Sequence, residues 1–280
     1  MVGVKGLFIA GTDTGVGKTA VLAGLLRALR RAGLDAAPMK PVQTGCRPLH
    51  RGLVSPDLER AFRAAGFRPA AAERRLMCPY PFRSACSPHL AAARAGVRIR
   101  LSAIRKAFRR LSAQHSFVLV EGAGGILAPL NEKETMLDLM RALGLPVIVA
   151  ARPGLGTLNH TLLTLRELRR AGLKLLAVVL VRTGRRPWGA IERSNQETIQ
   201  YLGRVPVHRL DAKRGLPAPG APARWLNEWD ALRRVRYRAW IKRRGRTADS
   251  ICCASSQRQN SSKSSNRTGF KGAGTACPTR

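Results

Sequence analysis

The sequence predicts an α/β fold built on a doubly wound, mainly parallel sheet with helices on both faces. Short runs rich in Val, Leu and Ile, with little polar alternation, recur through the first 212 residues, as strands buried on both faces do. Helical patterns separate these runs, the alternation that a parallel sheet with crossover helices produces. A glycine-rich loop joins the first run to the first helix.

The first strand is the apolar run Leu7–Ala10, followed after the loop by a helix over Ala20–Ala32. Ala36–Met39 carries no charged residue and reads as the second strand. Ser55-Pro56-Asp57-Leu58 then opens a helix near Pro56–Ala65, and a further helix spans Leu101–Gln114. Phe117–Glu121 is a Phe-Val-Leu-Val run closed by a carboxylate, and Thr135–Leu143 is the next helix. Pro146–Ala150 and Leu175–Val181 complete the strands, with helices at Leu158–Ala171 and Arg193–Leu202. Candidate site residues follow the strands: the loop after Ala10, Lys40 after Met39, Glu121 after Val120, and Gly154-Leu155-Gly156 after Ala151. Ligands of such sheets sit at the carboxyl ends of the strands.

The loop Gly11-Thr12-Asp13-Thr14-Gly15-Val16-Gly17-Lys18-Thr19 lies between a strand and a helix, the context a phosphate-binding loop needs. Backbone N–H groups from Thr14, Gly15, Val16 and Gly17 would face the phosphates at a helix N-terminus. Lys18 would reach the β- and γ-phosphates, and the Thr19 hydroxyl would join a magnesium shell. Five residues separate Gly11 from Gly17, where the common pattern has four. The fold expected is therefore P-loop NTPase-like. A nucleotide-driven ATPase switch of the ParA/MinD kind carries a second lysine early in this loop, and Gly11-Thr12-Asp13 has none.

Lys40-Pro41-Val42-Gln43-Thr44-Gly45 places an ammonium at a strand end, across the cleft from a triphosphate. Glu121-Gly122-Ala123-Gly124-Gly125 puts a carboxylate before a glycine-rich turn. Thr19, Asp57 and Glu121 together suit Mg2+, which takes one or two carboxylates plus phosphate oxygens and water. Asp57 alone would read as a dipole partner in a first helical turn. The histidines of Ser87-Pro88-His89 and Asn159-His160 read as structural.

Composition bounds the rest. The 280 residues can bury one sizeable core. No apolar run reaches the roughly 18–20 residues of a membrane span, and the N-terminus lacks the pattern of a signal peptide. Cys46, Cys78, Cys86, Cys252, Cys253 and Cys277 show no metal spacing, so free thiols in a cytoplasmic protein are expected. The net charge of +34 divides into 34 basic and 13 acidic residues in 1–212 and 16 and 3 in 213–280. The basic residues of the first part are scattered over helix faces without interleaved aromatics, so no specific nucleic-acid partner is expected; salt-sensitive attraction to polyanions is. Residues 1–212 form the expected domain. Residues 213–280 are a basic, Pro/Gly/Ser-rich tail whose composition does not offset its ordering entropy.

In order, Gly-Thr-Asp-Thr-Gly-Val-Gly-Lys-Thr, Lys-Pro-Val-Gln-Thr-Gly, Ser-Pro-His, Val-Glu-Gly-Ala-Gly-Gly and Gly-Leu-Gly-Thr-Leu-Asn-His closely resemble the dethiobiotin synthetase family, from residue 3 to about 207. The long phosphate loop is that family's own form. The resemblance implies ATP-dependent ring closure of 7,8-diaminononanoate with CO2 in biotin synthesis, through a carbamate and a carbamic-phosphoric anhydride. It implies Lys18 and Lys40 as catalytic cations, and Mg2+ held by Thr19, Asp57 and Glu121. Nucleotide contacts come from Thr14–Thr19 and from Glu121, Gly122, Ala123 and Gly124, and substrate contacts from Thr44, Gly154, Leu155, Gly156 and Asn159. It also implies a homodimer with the diamine at the subunit interface. Val181 stands where the family commonly has an asparagine that reads adenine, which leaves Arg182 as the neighbouring candidate to stack on a base. The opposing reading is a non-catalytic basic nucleotide-binding or nucleic-acid-associated protein on a decayed P-loop domain.

Overall fold

In a computed structural model of the chain, residues 6–49, 52–184 and 188–212 are described. The tail expected over 213–280 lies outside the described residues. The elements in order are β1 (Gly6–Gly11), α1 (Lys18–Arg31), β2 (Ala36–Met39), β3 (Val42–Gln43), β4 (Arg47–Leu49), β5 (Gly52–Val54), α2 (Pro56–Ala65), α3 (Ala71–Met77) and β6 (Tyr80–Pro81). There follow α4 (Pro88–Arg94), α5 (Leu101–Gln114), β7 (Phe117–Glu121), α6 (Met136–Leu143), β8 (Val147–Ala151), α7 (Thr157–Arg170), β9 (Leu175–Arg182), α8 (Ala190–Gly203) and β10 (Val207–Asp211).

Six strands form one parallel sheet in the order β10-β9-β8-β1-β7-β2. From β1 the chain crosses over β7 to reach β2, and from β7 it crosses back over β1 to reach β8. Because such crossovers are right-handed, this reversal of direction sets α1 on one face and α6, α7 and α8 on the other. The expected doubly wound sheet is therefore present, with one more strand than expected. The missed strand, β10, is an edge: the consecutive His208 and Arg209 lie between buried Val207 and Leu210, so no continuous apolar run announces it.

Register explains the shared functional edge. Ile9 pairs with Glu121, Gly11 with Ala150, and Met39 with Val120. The phosphate loop, Lys40, the Glu121 turn and the Arg152–Gly156 loop thus leave the sheet on the same side. Its centre is dry: Leu7, Phe8, Ile9, Val118, Leu119, Val147, Ile148 and Val149 have no exposed surface.

Two helices, α3 and α4, are each seven residues long, too short to impose a visible period. His115, at the end of α5, fixes α3 from the side: its ring nitrogens lie 3.0 Å from Asp35 Oδ1 and 2.5 Å from Glu73 Oε1. Ser55 is the N-cap of α2. Its Oγ accepts from the N–H of Leu58 at 3.2 Å and donates to Gln43 Oε1 at 2.7 Å, ahead of Pro56 in the first turn. Ser55→Ala removes both bonds at a buried position. It is expected to lower unfolding stability by about 1–2 kcal/mol, read as a reduced urea midpoint at constant slope.

Candidate active site

The phosphate loop spans from the last residue of β1 to the first of α1, so Lys18 and Thr19 occupy the first helical turn. Helix α1 thus begins two residues earlier than its apolar pattern suggests. Val16 is buried and anchors the loop, while Thr14 and Gly15 are exposed. Gly17 has φ 99°, and a Cβ built there would lie 2.4 Å from Val181 Cγ1. Glycine is therefore required twice, by backbone conformation and by the close approach of β9. Lys18 Nζ donates to the carbonyls of Asp13 at 2.7 Å and Gly124 at 2.8 Å, bridging the loop to the turn after β7. Above the loop, Arg152 Nη2 reaches Asp13 Oδ2 at 2.7 Å and the Thr14 carbonyl at 3.2 Å.

Burial, aided by repulsion from Lys40, lowers the Lys18 pKa from 10.5 to about 8. The unfolded chain keeps that proton to higher pH, so this group makes the free fold more stable as pH rises from about 8 to about 10.5. Phosphate oxygens in place of the two carbonyls would favour the ammonium and raise its pKa. Nucleotide binding near pH 8.5 is accordingly expected to take up a fraction of a proton. Calorimetry in buffers of different ionisation enthalpy reads this uptake, which Lys18→Ala should abolish.

Lys40 immediately follows β2 and is 3 % exposed. Its N–H is fixed on the Met77 carbonyl at 2.8 Å. Its Nζ donates to Glu121 Oε1 at 2.7 Å and to the Gly122 carbonyl at 3.2 Å, and lies 2.9 Å from Asp57 Oδ2. The Thr19 hydroxyl donates to the same Glu121 oxygen at 2.9 Å. Burial alone would lower the Lys40 pKa, but the attraction of Glu121 and Asp57 outweighs it and raises the pKa. Burial raises Glu121, helped by Asp57 and opposed by Lys40. For Asp57 the raising effect of burial is overcome by Lys40 and by hydrogen bonds from Lys40, Thr19 and Gln43, so its pKa is lowered.

The structure thus brings Lys18, Thr19, Lys40, Asp57, Glu121, Gly122 and Gly124 into one cluster. Glu121 Oε2 is buried without a hydrogen-bond partner. Beside Asp57 and the Thr19 hydroxyl, that orphaned oxygen fits a hard cation that takes oxygen ligands and fills its shell with phosphate and water. Among the described residues no three His, Cys, Asp or Glu side chains form an all-protein metal cage. The donors therefore suit an ion that arrives with a nucleotide.

Thr44 follows β3 at the rim, half-buried, its carbonyl accepting from Gln43 Nε2 at 2.8 Å. Gly154, Leu155, Gly156 and Asn159 stand apart from the cluster, on the loop and first turn leading from β8 into α7. Asn195 Nδ2 holds that loop through the Pro153 carbonyl at 3.0 Å. Leu155 is fully exposed and Asn159 also faces outward. The Gly156 cap leaves the first N–H groups of α7 at the same sheet edge.

Sequence reasoning passed over Gln43, which hydrogen-bonds Asp57, Ser55, which holds Gln43 and caps the helix that carries Asp57, and Arg152, which clamps the loop. Gln43 lies inside a motif already singled out; Arg152 carries no signal beyond its place at a strand end. Val181 is 1 % exposed and packs under Gly17. Arg182 pairs with Asp211, and its guanidinium lies 5.7 Å from the Trp188 ring centre. No described helix is long and apolar enough to cross a membrane.

A family model described as an AAA domain matches residues 5–211. An ATP-dependent dethiobiotin synthetase BioD of Anaeromyxobacter dehalogenans strain 2CP-C is 45 % identical over 74 % of this chain and 90 % of its own. The protein of the same name from strain 2CP-1 of that species is 51 % identical over the same shares. The one from Pseudomonas aeruginosa UCBPP-PA14 is 40 % identical over 71 % of this chain and 88 % of its own.

Proposed function

Since the chain belongs to the dethiobiotin synthetase family, ATP-dependent ligases of biotin biosynthesis, we propose that it closes 7,8-diaminononanoate and CO2 into dethiobiotin with release of ADP and phosphate. One amine takes up CO2 as a carbamate. A carbamate oxygen then attacks the γ-phosphorus of ATP, and the bond to the ADP oxygen breaks. The second amine attacks the carbonyl of the mixed anhydride, phosphate departs, and the cyclic urea forms.

The observation that carries this reading is the pair of buried ammonium groups, Lys18 and Lys40, against one carboxylate-bearing turn. Phosphoryl transfer needs mainly alignment and charge neutralisation. Lys18 exchanges its two loop carbonyls for phosphate oxygens, while Lys40 supplies a second cation from across the cleft. Thr19, Asp57 and Glu121 would hold the magnesium ion, which when bound spreads positive charge over the phosphate oxygens. The N–H groups of Thr14–Thr19 receive the phosphates, and the Glu121–Gly124 turn borders the nucleotide. The Thr44 hydroxyl lies along the same segment as Lys40 and hydrogen-bonds the carbamate or diamine.

The Gly154–Asn159 loop serves the diamine of a second subunit. Its helix-start N–H groups suit the distal carboxylate, and the fully exposed Leu155 suits burial against another chain. Residues 1–212 contain this whole apparatus. The test is phosphate release from Mg-ATP and bicarbonate with and without 7,8-diaminononanoate, with mass spectrometric detection of dethiobiotin. Release that ignores the diamine, from folded protein, would overturn the proposal. Sedimentation at assay concentration checks the dimer.

A further inference from the structure

The ammonium of Lys40 occupies the centre of the oxygens that suit the metal. Its three contacts are Glu121 Oε1 at 2.7 Å, Asp57 Oδ2 at 2.9 Å and the Gly122 carbonyl at 3.2 Å, which use its three donors. Thr19 is turned onto the same Glu121 oxygen, 2.9 Å away. One oxygen of this set, Glu121 Oε2, has no hydrogen-bond partner. A divalent ion joining Glu121 and Asp57 would lie within a few ångströms of this buried cation. At that range like charges repel strongly even when partly screened. The carboxylates cannot fully satisfy both.

We propose that Lys40 is a resident counter-cation which magnesium displaces, so that metal binding frees its ammonium for the transferring phosphoryl group. This rests on reading the site as a magnesium–nucleotide centre. Before the exchange, Lys40 neutralises two carboxylates that would otherwise face one another at a buried strand end. After it, the metal takes over that role and Lys40 turns to the anionic substrates. The entry of the nucleotide supplies the phosphate charge that makes the exchange favourable. Metal alone must compete with a covalently tethered rival and binds weakly. Lys18 hydrogen-bonds the carbonyls of Asp13 and Gly124, and so leaves the carboxylate oxygens to Lys40 and the metal.

The test measures Mn2+ binding to the full-length protein without nucleotide, by electron paramagnetic resonance at pH 8. Lys40→Met is expected to tighten binding at least about tenfold, and Lys40→Gln to do the same. Adding Glu121→Gln to either variant should remove the gain. Thermal melts establish that each variant is folded. A fixed strut would also repel the ion, so displacement itself is read on Lys40. In protein labelled with 15N at lysine Nζ, the resonance that Lys40→Gln removes should shift when Mg2+ and a non-hydrolysable ATP analogue are added together. An unmoved resonance, or Mn2+ affinity unchanged or lower in the folded Lys40 variants, overturns the exchange. Asp57→Asn and Glu121→Gln separate this failure from failure of the underlying reading. If neither weakens the magnesium dependence of ATP binding, the metal site itself is misassigned and the exchange falls with it. If both weaken it while the Lys40 variants gain nothing, only the exchange is wrong.

Discussion

Lys18→Ala is expected to cut diamine-dependent phosphate release about a thousandfold or more, while the fold survives. Loss of one preorganised donor at a developing charge commonly costs about 10²–10³ in rate, and in the proposed mechanism Lys18 brings an ammonium to the transferring group. The fold should tolerate the change because Lys18 is not a stabilising ion in the free protein. It is 6 % exposed, bonded to two neutral carbonyls, and burial holds its pKa down near 8. Removing a cation whose burial is only partly compensated offsets part of the packing lost with its stem. Steady-state turnover with far-UV circular dichroism and a thermal melt separates the two effects. Turnover within tenfold of the parent would remove Lys18 from the mechanism.

Glu121→Gln should reduce turnover at least about a hundredfold and also destabilise the fold by about 2–3 kcal/mol. The side chain is 1 % exposed, and its Oε1 receives both Lys40 and Thr19. An amide keeps one acceptor but removes the negative charge from a buried ion pair. Asp57 remains beside Lys40, which places the loss below that of a wholly stranded charge. The magnesium concentration for half-maximal rate should rise in the same variant. Unaltered magnesium dependence would show that Glu121 serves only as a partner for Lys40.

Strands β1, β2, β7, β8 and β9 were legible because burial on both faces writes itself as an uninterrupted apolar run. Phosphate-site identity was legible because glycine, lysine and threonine are all needed within a few residues, between a strand and a helix. What could not be read lies between segments. Lys40 and Glu121 are 81 positions apart and meet only because β2 pairs with β7 in a particular register. Val181 lies on the strand two places from β1, so nothing near it in the chain announces that it will pack beneath Gly17. Short pieces were lost for a different reason. In β3, β6 and the β4–β5 hairpin, two or three residues pair because the surrounding loop is already held. Ser87-Pro88 opens α4, but seven residues are too few to repeat a face convincingly.

The bond from Lys40 to Glu121 and Asp57 also bears on how the protein is made. Chains whose folds depend on a bound ion remain unfolded until that ion is supplied. Here the charge that balances one buried and one half-buried acid, Glu121 and Asp57, is carried by the polypeptide itself. The fold can therefore close around this site without waiting for a metal ion. On the proposed magnesium reading, scarcity of the ion would silence copies that are already folded, and its return would restore them without new translation.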